Sequence, residues 1–186
     1  LVYRFAWRSA LDRGIVAVAL LIALFLAAAF VAVDYDAIAR MLEDPAEFTG
    51  RAAIWQAEIA FIADHPLLGS GFGTFADTGS LSPLHNYVAG SWVEAVAHGH
   101  SGYLQIFVTI GAIGLGFTVL GLIVAPGIRF WRMDGSDLDL KAGLFALFVF
   151  LVLHNVMESD FLEGDAPAWV GFLLMLAFLY RLPLRT

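Results

Sequence analysis

YLQIFVTIGAIGLGFTVLGLIVAPG, residues 103–127, runs without a single charged side chain. About 20 helical residues cross a hydrocarbon core of about 30 Å, so this stretch is long enough to span one with tilt. Its Gly111, Gly114, Gly116 and Gly121 are small enough for another helix to pack closely against it. Upstream, residues 14–33 form a second uncharged run of the length one span needs. Downstream, residues 142–157 and 166–180 are shorter apolar blocks, most simply paired as a helical hairpin.

The composition agrees with these blocks. The chain of 186 residues is 60% hydrophobic and only 15% charged, far from the balance of a water-soluble domain. In lipid the backbone must satisfy its own hydrogen bonds, which makes helices of the apolar blocks. The expected fold class is therefore an all-α integral membrane protein with four transmembrane helices at about 14–33, 103–127, 142–157 and 166–180. One large, partly helical loop, 34–102, joins the first two. The chain has no cysteine, so it holds neither a disulfide nor a thiolate metal site. It opens at Leu1 without an initiator Met and without a cleavable leader pattern, which reads as a piece of a longer polytopic protein.

Basic residues set the orientation, because Lys and Arg near span ends stay on the cytoplasmic side. Arg4, Arg8 and Arg13 precede the first span, Arg129, Arg132 and Lys141 lie between the second and third, and Arg181 and Arg185 follow the fourth. Both ends of the chain are thus expected on the cytoplasmic side. The opposite side carries nine acidic residues between Asp34 and Glu94 and four from Glu158 to Asp165, out of 17 in all. Only Arg40 and Arg51 stand among them, and these two cations call for a reason.

Within the outer loop the pattern predicts a helix from Arg51 to Asp64, started by Thr49 and stopped by His65-Pro66. Ile54, Trp55, Ile59, Phe61 and Ile62 give it an apolar side suited to a membrane surface or to other helices. Ser91-x-x-Glu94 has the form of a capping box, predicting a short helix from Trp92 to Ala97 that ends at Gly99. His85-Asn86-Tyr87 reads as ordinary loop. Leu68-Gly69-Ser70-Gly71-Phe72-Gly73 reads as a turn; it lacks the Lys-Ser/Thr ending and the preceding strand of a phosphate loop.

Two side chains stand out chemically. Arg51, at a helix start in a negative loop, could bind a phosphate bidentately or could pair with Glu47, Asp44 or another loop carboxylate. His100 lies just before the second span, with Ser101 as a helix cap and Tyr103 at the interface. A helix N-terminus disfavours imidazolium and leaves the neutral ring a general base needs, although an interfacial histidine can simply hydrogen-bond its neighbours. His98 and His100 would also suit two metal ligands, but no clear third accompanies them. Asn155, Glu158, Ser159 and Asp160 cluster where the third span meets the outside, either sharing a site with His100 or ending a helix among lipid headgroups.

Gly50-Arg51-x-x-Ile54-Trp55, Pro66-Leu67-Leu68-Gly69-x-Gly71-Phe72-Gly73-x-Phe75, His100-Ser101-Gly102-Tyr103-Leu104, Gly111-x-x-Gly114 and Asn155-x-x-Glu158-Ser159 occur in this order on the outer side. Together they resemble the C-terminal half of the O-antigen ligase and polymerase family, particularly its exopolysaccharide-production members, over about residues 48–160. The resemblance implies that residues 1–186 are the C-terminal part of one membrane domain, a fragment of a GT-C-like polytopic glycosyltransferase of the bacterial inner membrane. It implies transfer or polymerisation of a glycan from an undecaprenyl-diphosphate donor at the periplasmic face, by an inverting reaction without metal or cofactor. Arg51 would bind the donor diphosphate and His100 would activate an acceptor hydroxyl; Glu158, from its position, could orient either a histidine or an acceptor hydroxyl. Trp55, Ser101, Tyr103 and Asn155 would support them. Where the family often has Asn after the histidine, this chain has Ser101. The implied partners are the lipid-linked glycan, a saccharide or lipid-sugar acceptor and membrane lipids, with no nucleic acid. Two other expectations compete: a polytopic transporter, and a non-catalytic assembly subunit of a polysaccharide export complex. Against the transporter, no ionisable residue lies centrally in any expected span.

Overall fold

The computed structural model describes residues 18, 22, 50–72, 82–88, 90–96, 98–133, 137–164 and 166–184. The expected first span at 14–33, the Thr49 helix start, Arg40 and the pairing candidates Asp44 and Glu47 lie outside the described residues, apart from Val18 and Ile22. Among the described residues every regular element is a helix: α1 (Arg51–Asp64), α2 (His85–Val88), a 3-10 turn (Trp92–Ala95), α3 (Gly102–Thr118), a π-helical stretch (Val119–Val124), α4 (Ala125–Arg132), α5 (Leu138–His154) and α6 (Pro167–Arg181). An isolated bridge joins Met133 to Leu184.

Helix α1 has the bounds the sequence predicts. Gly50, with φ 87°, turns the chain into it, and the His65 N–H closes it on Phe61 O at 2.9 Å before Pro66. Ala52, Ile54, Ala57, Glu58 and Phe61 form its buried face, a helical stripe packed on Leu84, Val88, Val93 and Val108. Ile59 faces outward. The His85–Val88 segment, expected as loop, is a helical turn held by Tyr87 Oη donating to Asp64 Oδ2 at 2.7 Å. No capping box forms at Ser91, whose side chain makes no cap bond. Glu94 Oε2 instead accepts from Gly90 N at 3.2 Å, while its Oε1 lies 2.8 Å from His85 Nδ1. The turn there is 3-10 and ends at Ala95.

Residues Gly102–Arg132 form one helical rod of 31 residues, long and apolar enough to cross a membrane. Two features interrupt it. The π-helical stretch ends just before Pro126, whose missing N–H and ring would crowd a regular turn; the wider turn accommodates both. The other is a break at Gly111, with φ 67° and ψ −174°, a conformation essentially reserved for glycine.

The gap at Gly111 is filled by the Pro66–Gly71 turn. Ser70 N and Gly71 N donate to Val108 O and Thr109 O at 2.8 and 2.7 Å, the last carbonyls before the break. Ala112 N and Ile113 N, the first donors after it, reach Pro66 O and Leu67 O at 2.9 and 3.4 Å. A distant loop thus satisfies four backbone groups that the break orphans. A Cβ on Gly111 would collide with Leu67 O, and one on Gly69 with Val108 O. Gly111 is therefore a helix break and not a packing notch, and added Cβ atoms on Gly116 and Gly121 would meet nothing within 4 Å.

Helices α3 to α6 share a second core of Ile106, Phe130, Met133, Phe148, Leu151, Phe161, Phe172, Met175 and Leu179. Arg129 ties α4 to the end of α6, donating to Leu179 O, Tyr180 O and Leu182 O at 2.8–2.9 Å, and it lies over the Tyr180 ring. A cation at a helix C-terminus satisfies carbonyls that have no partner in the helix. Helix α5 runs from Leu138 to His154, so it starts earlier and stops sooner than the apolar block 142–157; Asn155 ends it and turns the chain. Helix α6 begins with Pro167 in its first turn, where a missing N–H costs nothing.

Candidate functional site

Three segments meet at one end of α3. Arg51 opens α1, His100 precedes α3, and Glu158 lies in the turn after α5. The Arg51 guanidinium donates to Glu158 Oε1 at 2.7 Å through Nη2 and to Met157 O through Nη1. The second Glu158 oxygen, Oε2, lies 3.7 Å from His100 Nδ1. One carboxylate thus stands between the guanidinium and the imidazole. The sequence left Arg51 between phosphate and carboxylate; in the structure it is held by a carboxylate from 107 residues further along the chain.

Asn155 builds the turn that presents Glu158. Fully buried, it donates from Nδ2 to Leu151 O at 2.9 Å and accepts at Oδ1 from Asp160 N and Phe161 N at 3.1 and 2.9 Å. The same turn receives the start of α3, since Gly102 N donates to both Asn155 O and Glu158 O at 2.9 Å. Tyr103 Oη donates to Val152 O at 2.8 Å, and its ring meets Phe161 edge-on. Ser101 occupies the N-cap position and is buried, but its side chain makes no cap bond. The expected Ser101 cap is thus absent.

The segment before α3 is bent tightly. His100 takes φ 52°, a left-handed conformation that costs a non-glycine residue about 1–3 kcal/mol unless its surroundings impose it. Gly99 provides that constraint: its carbonyl accepts from Trp55 Nε1 at 3.0 Å and its N–H donates to Gln105 Oε1 at 3.1 Å. Gln105 in turn donates to Glu163. The His98 and His100 rings lie 4.5 Å apart, centre to centre.

Electrostatics divide the roles. Burial lowers the His100 pKa first, then charge repulsion from His98 and Arg51, against an opposing pull from Glu158. The direction is that expected from a helix start, but its cause is desolvation and neighbouring charge. Burial pushes the Glu158 carboxyl up, yet the Arg51 hydrogen bond and charge, with His100, bring it below the usual value. The arrangement is a neutral imidazole beside an ionised carboxylate and a permanent cation, suited to taking a proton and to holding an anion.

Of the expected site residues, Arg51, His100 and Glu158 come together, with Trp55, Tyr103 and Asn155 as struts. Asp160 pairs elsewhere, its Oδ2 2.8 Å from His154 Nδ1, and the buried Ser159 hydroxyl has no hydrogen-bond partner among the described residues. Unforeseen were Gln105, Glu163 and Glu58, which all bear on the Gly99 bend. The one available signal for Glu58 was its helical spacing of seven from Arg51, placing both on one face.

A family model described as O-antigen ligase matches residues 1–119, which include Arg51, Trp55, the Pro66–Gly71 turn, His100 and Gly111. Asn155 and Glu158 lie beyond the matched residues. No curated protein and no solved structure matches the chain. With more than half its length inside the match, and with that family's membrane character met by an apolar helix of spanning length, the chain belongs to the O-antigen ligase family.

Proposed function

We propose that this chain is the C-terminal part of a membrane glycosyltransferase that moves a glycan from an undecaprenyl-diphosphate donor onto a saccharide or lipid-sugar acceptor, as a ligase or a polymerase. Supporting this reading is the sharing of Glu158 between Arg51 and His100. The site belongs at the periplasmic face of the bacterial inner membrane, in surface or exopolysaccharide synthesis. There a polyprenyl tail lies in the bilayer and its diphosphate at headgroup depth.

The chemistry follows from the three groups. Neutral His100, with its Nδ1 proton turned to Glu158, accepts the acceptor hydroxyl proton at Nε2. The alkoxide oxygen forms a bond to the anomeric carbon as the bond from that carbon to the diphosphate oxygen breaks, with inversion. Arg51 takes the growing negative charge on the leaving lipid diphosphate. An arriving diphosphate competes with Glu158 for the guanidinium, and the released carboxylate closes the 3.7 Å gap to His100, where it stabilises imidazolium. Donor binding and base activation are coupled in this way.

The test is full-length protein incubated with purified polyprenyl-diphosphate glycan and an acceptor, with the anomeric configuration of the product read by NMR. Inverted linkage formed at an unchanged rate in chelator supports the reading; retained configuration or chelator-sensitive transfer overturns its mechanism.

A further inference from the structure

Glu58 is the anomaly of the outer core. It is fully buried, and neither carboxylate oxygen has a hydrogen-bond partner among the described residues, on the same buried helix face as Ile54, Ala57 and Phe61. An orphaned buried carboxyl carries a penalty that apolar packing of the same volume would avoid. It lies two turns along α1 from Arg51, with Trp55 between them on the same face. Its Oε1 rests against Gly99 so closely that a Cβ there would collide with it. Gly99 is the middle residue of the bend whose carbonyl is fixed by Trp55 and whose N–H is fixed by Gln105.

We propose that Glu58 is a positioning residue of the transfer site: its carboxyl wedges beneath Gly99 and, with Trp55 and Gln105, holds the His98-Gly99-His100 bend that aims His100 at Glu158. The inference rests on His100 being the base, but its own content is the geometry of the bend. Shape and polarity both matter in this position. Only glycine admits the carboxyl, which lies against the residue next to His100 and its left-handed φ.

Burial raises the Glu58 pKa well above the ordinary carboxylate value, which favours the neutral acid against Gly99. The ionisable groups around the bend are Arg51 on α1, His98 and His100 in the bend itself, Glu158 in the turn after α5, and Glu163, which reaches it through Gln105. None of them hydrogen-bonds to Glu58. Raising the pH through the folded-state pKa of Glu58 places an unpaired charge beneath Gly99 and loosens the bend.

The test uses the full-length protein in nanodiscs, labelled with 15N-histidine, with the titration of His100 and the rate of glycan transfer measured side by side. Glu58→Ala is expected to move the His100 titration back toward its ordinary value. It should also lower kcat by about 10- to 100-fold while leaving the donor KM unchanged, because a displaced base loses orientation and not binding. Glu58→Gln, of the same shape, keeps the His100 titration and removes the alkaline loss of activity. Gly99→Ala is impaired alone and partly rescued when combined with Glu58→Ala, since the added methyl then occupies the vacated space. An unchanged His100 titration and kcat in Glu58→Ala would overturn the proposal, as would a Gly99→Ala defect that the double variant fails to relieve. If His100→Ala retains transfer, the base assignment fails, while the titration of His100 still decides the role of Glu58.

Discussion

Glu158 Oε2 lies 3.7 Å from His100 Nδ1, too long for a hydrogen bond, while the other oxygen is held by Arg51 at 2.7 Å. The carboxylate is therefore committed to the cation and poised beside the base. In the proposed mechanism this gap would link the binding of a diphosphate to the readiness of the imidazole, and substitutions of either partner should then affect both.

Replacing Arg51 tests the anion side. If Arg51 stabilises the leaving group as proposed, Arg51→Ala should lower transfer by about 100- to 1000-fold, as loss of a well-placed electrostatic donor does. Arg51→Lys should recover only part of this, because an ammonium cannot reproduce the planar fork that spans Met157 O and Glu158. Transfer rates normalised to the amount of protein in the membrane decide both.

The acid limb of the pH profile reports His100. Because its pKa is lowered, the neutral base persists below the ordinary histidine range, and activity should fall only at more acid pH. Glu158 opposes that lowering, so Glu158→Gln should move the limb to still lower pH as well as slowing transfer. Arg51 contributes to the lowering, so residual activity of Arg51→Ala should show the limb displaced upward. The pH dependence of kcat/KM in the three proteins checks the signs.

Gly111→Ala should destabilise the outer half of the protein. The substituted residue must adopt a backbone conformation that excludes a Cβ, and that Cβ would collide with Leu67 O. A loss of about 1–3 kcal/mol or more is expected, and Gly116→Ala, at an open position, should cost far less. Thermal unfolding in detergent compares them.

Asn155→Ala should reduce transfer without touching substrate. It leaves Leu151 O, Asp160 N and Phe161 N without their partner, at about 1–3 kcal/mol for a buried group left unpaired, and frees the turn that carries Glu158. Asn155→Asp keeps the acceptor for Asp160 N and Phe161 N but sets a buried carboxylate oxygen against Leu151 O, so it should be destabilising as well. Transfer kinetics beside thermal unfolding separate the two.

Local pattern carried some of this architecture and tertiary contact the rest. The bounds of α1 were legible because His65-Pro66 is a local stop signal, and the run from Gly102 was legible from hydropathy. The break at Gly111 was not, since its four orphaned backbone groups are satisfied by the Pro66–Gly71 turn some 40 residues earlier. Glu58 sits among alanines and isoleucines in a loop rich in carboxylates, and apart from its spacing of seven from Arg51 nothing local distinguishes a buried acid from a solvated one. Arg51 and His100 were marked by charge contrast and by position, and the family resemblance added their roles. A shared site for Glu158 and His100 was one of two expectations from the end of the third apolar block, but the pairing of Glu158 with Arg51 follows only from the Asn155 turn and its docking on Gly102.

The most direct measurement is product formation by full-length protein reconstituted with purified polyprenyl-diphosphate glycan and acceptor, comparing wild type with Arg51→Ala and His100→Ala at equal membrane levels. The account predicts glycan product from the wild type and a loss of at least about 100-fold in each variant. Transfer at the wild-type rate by either variant would contradict it.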